Sequence, residues 1–430
     1  MSLFEMSWPD FWLKAGMFAE SIKSLKTSKK KALWIPSLDP HHGLFLFAAA
    51  LHLELDPIFD EKSALDPDES FLALHPDLWR RFTKAQNLPE SGVQFTLTMK
   101  GGCLLDGLEA FAKRRIYFCT SGTTAKAKTL CKSALGLLLE ARQLQSLYGL
   151  DKGSKIITLV RPFHIYGFLH SVLLSLVSGS TAVFWSTQLS LPTLDNGLPL
   201  DADLLITVPA HWSTITHLWS QIHTPTVVSS SAFFGEERTL ALSEHRHAFD
   251  RYFELLGSTE TGGIGYRRID HEGCSFRLFE GVRIEGHENG SRIYSPFLVP
   301  DLYVHSPDQF EILENGCVLH RGRADRVFKF AGLRYTLGEI EDLMSRLCGG
   351  ATVVCAFEEN SKSAQGGRLR GWVETTTPSA QDLTSLRTAY QGLGNRPFPG
   401  VLHFVPVFPR DAQGKVSLLD LQRLTSQDCS

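Results

Sequence analysis

The chain has 430 residues, 43% of them hydrophobic and 21% charged, with a formal net charge of −3. A chain of this size buries a core without disulfide staples, has room for two or more domains, and lacks the charge excess of a nucleic-acid binder. Its eight cysteines are scattered with no C-x-x-C pair, which fits a reducing compartment and speaks against a structural zinc.

At the N-terminus acidic residues precede any apolar run, so no secretory signal is read there. The longest apolar stretch, Leu44–Leu51, is too short to span a bilayer. The expectation is a cytoplasmic protein with no transmembrane segment and no nucleic-acid partner. Lys23, Lys26, Lys29, Lys30 and Lys31 read as a solvated helix end. Further on, apolar β-branched runs at Ile116–Cys119, Ile156–Val160, Thr181–Trp185, Leu204–Val208 and Thr226–Ser229 alternate with helical patterns at Lys132–Tyr148 and Leu169–Val177. This alternation predicts an α/β fold with parallel strands. After Arg323 a smaller α+β pattern begins: helix Leu337–Leu347, strands Ala351–Phe357 and Leu369–Glu374, helix Ala380–Gln391 and strand Val401–Val407. A domain boundary is expected between residues 1–322 and 323–430, at a short hinge.

The segment Tyr117–Lys128 is the most informative. Thr120, Ser121, Thr123 and Thr124 gather around Gly122, with Lys126 and Lys128 close behind. Hydroxyls and exposed backbone N–H groups form a donor surface for phosphate oxygens, and a lysine adds charge. The loop is expected to follow a strand and precede a helix. Two nucleotide-binding readings are open. One is a Walker A loop, which needs a glycine where Ala127 stands.

The other reading gains support from three further blocks, in fixed order. Leu255-Leu-Gly-Ser258-Thr259-Glu260-Thr-Gly262-Gly263 offers a hydroxyl and a carboxylate, a hard oxygen ligand suited to Mg²⁺. His320-Arg-Gly322-Arg323-Ala-Asp325 continues without a gap into Lys329, Gly332, Arg334, Glu339 and Glu341, and Asp308 lies upstream. Phe408-Pro-Arg-Asp-Ala-Gln-Gly414-Lys415 closes the series. Together these blocks resemble the adenylate-forming superfamily of acyl-CoA synthetases, luciferases and nonribosomal peptide adenylation domains. The loop matches T-S-G-T-T-G-x-P-K from Thr120 to Thr124 and at Lys128. The third block matches G-R-x-D-x-x-x-K-x-x-G-x-R-x-x-x-x-E-I-E, and the last resembles L-P-R-T-x-x-G-K. The likeness runs from about Ala32 to Leu424 and is weakest at its start, where the N-terminal subdomain looks reduced.

The resemblance implies a large N-terminal domain of stacked α/β sheets with a small mobile C-terminal domain. It implies ATP and Mg²⁺ as cofactors, a small carboxylic acid as substrate, and coenzyme A or an acyl carrier protein as acceptor. Thr120, Ser121, Gly122, Thr123, Thr124 and Lys128 would cradle the triphosphate. Ser258 and Thr259 would serve the phosphates, Glu260 the metal, Asp308 the ribose hydroxyls and Arg323 the nucleotide. Lys415 would be the catalytic lysine and Asp325 the hinge. Weaker matches follow: Arg161-Pro-Phe-His164-Ile-Tyr166-Gly167 resembles P-x-x-H-x-x-G, and Ser229–Phe233 resembles S-G-G-A-P. They put Ser231 and Ala232 at the adenine, and His164, Tyr166, Phe233 and Gly262 at the acyl pocket. Ala125, Ala127, Leu256, Pro307 and Phe233 depart from the family pattern, and the first four motivate one rival reading, a non-catalytic adenylate-fold nucleotide-binding protein. A P-loop phosphohydrolase is the other rival. If Asp325 is the hinge, Asp325→Pro slows thioester formation at least about tenfold more than adenylation. Single-turnover assays of each half-reaction test this, and equal losses would remove the hinge from this position.

Overall fold

The computed structural model describes residues 3–26, 32–36, 40–60, 71–72, 94–98, 111–120, 128–184, 200–211, 222–230, 249–269, 275–330, 333–359, 367–375, 383–392, 396–410 and 416–426. The chain divides into two compact units. One comprises Met1–Phe233, Leu242–Arg283 and Ile293–Val304; the other comprises Phe234–Ala241, Ile284–Arg292 and His305–Ser430. The position 322/323 falls within the last stretch of the second unit.

The first unit is built on two sheets. The larger has nine strands, ordered Leu3–Ser7, Gln94–Thr98, Thr181–Phe184, Lys155–Thr158, Leu204–Thr207, Thr226–Ser229, Arg251–Ser258, Gly262–Arg268 and Arg277–Leu278. From Thr181–Phe184 to Arg251–Ser258 the neighbours run parallel. Every residue of Leu204–Thr207 and Thr226–Ser229 is buried, which is why these strands read as unbroken apolar runs rather than alternating ones. Strand Gly262–Arg268 folds back antiparallel on Arg251–Ser258, with Glu254 opposite Arg267. The two side chains form a buried ion pair at 2.5 Å.

The second sheet orders Phe71–Leu72, Ala32–Pro36, Asp56–Asp60, Arg115–Thr120 and Lys128–Ser133. The last two strands are antiparallel, and Thr120 pairs directly with Lys128. Residues 121–127 therefore join two strands, and the helix Ala134–Tyr148 begins only after the second of them. This corrects two expectations, a helix from Lys132 and a helix immediately after the loop. It also removes the Walker A reading, and the phosphohydrolase with it, because that loop presents its lysine at the start of a helix. Here Lys128 opens a strand.

Phenylalanines fill the space beside this sheet. Phe59 and Phe118 stack at 5.6 Å, and Phe168 meets Phe47, Phe59 and Phe118 at 5.0, 5.3 and 5.8 Å. Phe168 opens a π-helical stretch, Phe168–Leu173, between short α-helical pieces Ile165–Gly167 and Leu174–Ser178. Ser171 and Ser175 return hydrogen bonds to carbonyls one turn back, which draws them away from the regular ladder. At the chain's start, Lys23 pairs with Glu20 and Lys26 donates to the Leu53 carbonyl, while Lys29, Lys30 and Lys31 lie outside the described residues. No helix among the described residues is long and apolar enough to cross a membrane.

In the second unit, strands Val353–Glu359, Gly367–Glu374 and Val401–Val405 form a sheet. Ile340 and Met344 of helix Leu337–Leu347 and Leu386 and Tyr390 of helix Leu383–Gly392 share one core with Val353, Cys355, Leu369 and Val373. Trp372 packs with Phe408 and Leu421 in a second core. Helix Leu337–Leu347 starts with a capping box: Thr336 accepts from the Glu339 N–H, and Glu339 reaches back to the Thr336 N–H. Glu341 accepts from Arg326 and from the Cys355 N–H, both at 2.6 Å. These two glutamates of the E-I-E motif thus hold the helix in place.

Buried His170 is a neutral imidazole. Its Nδ1 donates to the Tyr166 carbonyl at 2.9 Å, and its Nε2 accepts from the Tyr148 hydroxyl at 3.2 Å. Burial pushes its pKa down to about 4. The unfolded chain takes up that proton near pH 6.5, so the stability is complete above that value and drains away as pH falls toward 4. Relative to a His170→Gln variant, the protein loses about 3 kcal/mol of unfolding free energy across this interval. Urea titrations of both proteins at several pH values measure the difference.

Candidate active site

Parallel sheets bind ligands beyond the carboxyl ends of their strands. In the first unit that edge is formed by the residues after Thr158, Thr207, Ser229 and Ser258. The richest of these is the turn from Ser258 to Gly263. Its shape is set from within: the Thr261 hydroxyl accepts from the Ser258 N–H at 2.9 Å and donates to the Gly262 carbonyl at 2.7 Å. The Ser258 hydroxyl accepts from the Thr261 N–H at 3.1 Å. Ser258, expected at the phosphates, also takes part in shaping the turn. Thr259 is 8% exposed and its hydroxyl makes no hydrogen bond among the described residues, while Glu260 is exposed. Gly262 has φ +70°, a conformation that favours glycine, and is buried. A single exposed carboxylate fits Mg²⁺, which takes one or two such groups and draws its other ligands from phosphate oxygens.

Two charged residues brace this turn from beneath. Lys132, on the strand Lys128–Ser133, donates from Nζ to the Glu260 carbonyl at 2.5 Å. Glu140, on the helix Ala134–Tyr148, accepts from the Gly263 N–H at 2.7 Å. A Cβ on Gly263 would stand 2.7 Å from Glu140 Oε1, so this close approach requires a glycine. Burial lowers the Lys132 pKa against the pull of Glu140 and Glu260. Burial also raises that of Glu140, against the Gly263 hydrogen bond and Lys132. Neither residue belongs to any of the four sequence blocks. A carboxylate inside Ala134-Leu-Gly-Leu-Leu-Leu-Glu140-Ala, a run otherwise without charge, was the available signal.

His164 and Tyr166 follow the strand Lys155–Thr158. His164 is half-buried and precedes the helical turn Ile165–Gly167. Tyr166 is buried, and its hydroxyl meets the Thr207 and Val228 carbonyls at 3.0 and 3.2 Å. It ties together the ends of two neighbouring strands. Gly167 allows the chain to pass: a Cβ there would lie 2.0 Å from the Arg161 carbonyl oxygen. His211, after Leu204–Thr207, was not foreseen; burial pushes its pKa down to about 4. Ser121, Gly122, Thr123, Thr124, Ser231, Ala232, Phe233 and Lys415 lie outside the described residues. Thr120 and Lys128 are described as the paired ends of their strands.

The second unit holds its own cluster. Strands Asp308–Ile312 and Val318–Arg323 form a hairpin that sets Asp308 opposite Arg323. Asp308 accepts from Ser306 at 2.6 Å on one oxygen and meets His320 at 3.0 Å on the other. Burial pushes its pKa up, but the His320 and Ser306 hydrogen bonds and the His320 and Arg323 charges outweigh it and hold the carboxyl below the usual range. Asp325 lies in the turn Ala324–Arg326. The segment bearing Lys415 is held at both ends: Arg410 bridges to Val416, and the Ser417 N–H donates to the Pro409 carbonyl at 2.8 Å. Glu374 accepts from the Phe408 N–H at 2.8 Å and pairs with Arg410.

No protein-family model matches the chain. A 4-coumarate–CoA ligase of Halorhodospira halophila is 25% identical over 307 residues, 70% of this chain and 74% of that protein. A 3-hydroxybenzoate–CoA/4-hydroxybenzoate–CoA ligase of Thauera aromatica is 23% identical over 352 residues, 69% of this chain and 64% of the relative. Among solved structures, ATP-bound MatB from Rhodopseudomonas palustris superposes with a TM-score of 0.75 at 16% identity, covering 100% of this chain and 96% of that one. The fold is that of the adenylate-forming ligases.

Tyr166→Phe leaves the Thr207 and Val228 carbonyls without their shared donor. The variant is expected to lose about 1–3 kcal/mol of stability in denaturant titrations.

Proposed function

We propose that the chain activates a carboxylic acid with ATP, releasing pyrophosphate, and passes the acyl group to the thiol of coenzyme A. The observation that carries this is the Thr259–Glu260 turn at the carboxyl edge of the parallel sheet, in the same unit as the hydroxyl-rich segment Thr120–Lys128. Relatives named as ligases of coumarate and hydroxybenzoate support an aromatic acid as the substrate class. The phosphopantetheine of an acyl carrier protein presents the same thiol chemistry and is the second acceptor to test.

The chemical obstacle is that the acid and the α-phosphate are both anionic, so the site has to offset their repulsion and hold them in line. Thr259 donates to the α-phosphate, and Thr120, Ser121, Gly122, Thr123, Thr124 and Lys128 hold the departing pyrophosphate. Glu260 would hold Mg²⁺, which would neutralise phosphate charge. Asp308, ionised at neutral pH, accepts from the ribose hydroxyls, and Arg323 adds charge beside the nucleotide. Lys415 draws the carboxylate to the α-phosphate. His164, Tyr166, Phe233 and Gly262 border the acyl group, and Ser231 and Ala232 border adenine. In the second half-reaction the thiol attacks the acyl carbonyl and AMP leaves.

Exchange of labelled pyrophosphate into ATP, dependent on added acid, tests the reading. Coumarate and hydroxybenzoates are expected to support it better than aliphatic acids. Lys415→Ala is expected to lower exchange about 10²–10³-fold, the loss typical when one transition-state stabiliser is removed. Silence of the unaltered protein across a broad panel would favour a nucleotide-binding protein without catalysis.

A further inference from the structure

Lys132 and Glu140 have no place among the roles assigned above, yet both are ionisable and buried, with 7% and 4% exposure. Burying a charge is costly unless it meets a partner, so two such groups at one turn call for an account. Lys132 spends its hydrogen bond on a main-chain carbonyl, that of Glu260, rather than on a carboxylate. Glu140 spends one oxygen on the Gly263 N–H, while Oε2 has no hydrogen-bond partner. Both contacts therefore fall on the backbone of the turn that presents Thr259 and Glu260. Lys132 also shares its strand with Lys128, which pairs with Thr120 at the other end. One short strand thus reaches both the hydroxyl-rich segment and the turn.

We propose that Lys132 and Glu140 are positioning residues, a buried charged brace that fixes the Ser258–Gly263 turn at a set distance from the strand leaving the hydroxyl-rich segment. Thr259 and Glu260 then meet the triphosphate in register with Lys128. The inference rests on the proposed ligase function. It assigns no chemical step to either residue. A pair that served folding alone would be replaceable by apolar side chains of similar volume without functional loss.

The test replaces both residues at once, Lys132→Met with Glu140→Met, so that neither charge is left buried alone. The variant is expected to melt within about 5 °C of the unaltered protein. By titration calorimetry it is expected to bind Mg²⁺–ATP about tenfold more weakly, and its KM for Mg²⁺–ATP in pyrophosphate exchange is expected to rise with little change in KM for the acid. Glu140→Gln keeps an acceptor for the Gly263 N–H and is expected to recover at least about half of the lost affinity when Lys132 is intact. If the Met pair does not fold, Lys132→Leu with Glu140→Leu, which likewise offers neither donor nor acceptor, serves in the same comparison. Equal Mg²⁺–ATP affinity in the double variant and the unaltered protein overturns the brace. Absence of acid-dependent exchange in the unaltered protein overturns the ligase reading instead, and the calorimetry separates the two failures.

Discussion

The hydrogen bond from the Lys132 ammonium to the Glu260 carbonyl sets the conditions under which the rest of the first unit's site is built. An ammonium at this depth is stable only where oxygens converge on it. The turn supplies one such oxygen from its backbone, leaving the Glu260 side chain exposed. Holding a functional residue by its main chain separates two tasks. The backbone is fixed by burial, and the side chain stays in water. Glu140 repeats the arrangement at Gly263. The antiparallel return of Gly262–Arg268, riveted by the Glu254–Arg267 pair, gives the turn a stiff base.

The same economy recurs elsewhere. Tyr166 uses its hydroxyl on two strand-end carbonyls, and the glycine after it lets the backbone close on Arg161. In the second unit the Ser306 hydroxyl donates to the Asp308 carboxylate. That contact and the one from His320 keep the aspartate ionised in a largely buried position. The motif residues outside the chemistry also have physical work. Glu339 caps a helix, Glu341 anchors it to Arg326 and the strand at Cys355, and Arg410 with Glu374 secures one end of the segment bearing Lys415.

Much of this was legible in the residues alone. The strand Thr226–Ser229 and the helix Leu337–Leu347 fall where the patterns put them, because a run buried on both faces and a capped amphipathic helix are local signals. Asp308 and Arg323, singled out fifteen residues apart as nucleotide contacts, are brought opposite each other by one hairpin. The segment after Thr120 is recognisable by its hydroxyls, but its setting between two strands is not a local signal. The run from Lys132 onward has helical periodicity, whereas pairing with Arg115–Thr120 draws its first two residues into a strand. Sheet pairing is a contact between distant segments, and it overrides local propensity.

The sequence by itself determined the superfamily-like order of motifs, the α/β alternation and the chemistry available at each motif, since these depend on residue type and spacing along the chain. Tertiary structure alone decided that the hydroxyl-rich segment joins two strands, that Ser258 and Thr261 shape their own turn, and that Lys132 and Glu140 converge on Glu260 and Gly263. Those outcomes depend on which side chains are excluded from water together. Burial of that kind joins residues more than a hundred positions apart, as Glu140 and Gly263 are, and leaves no periodic trace between them.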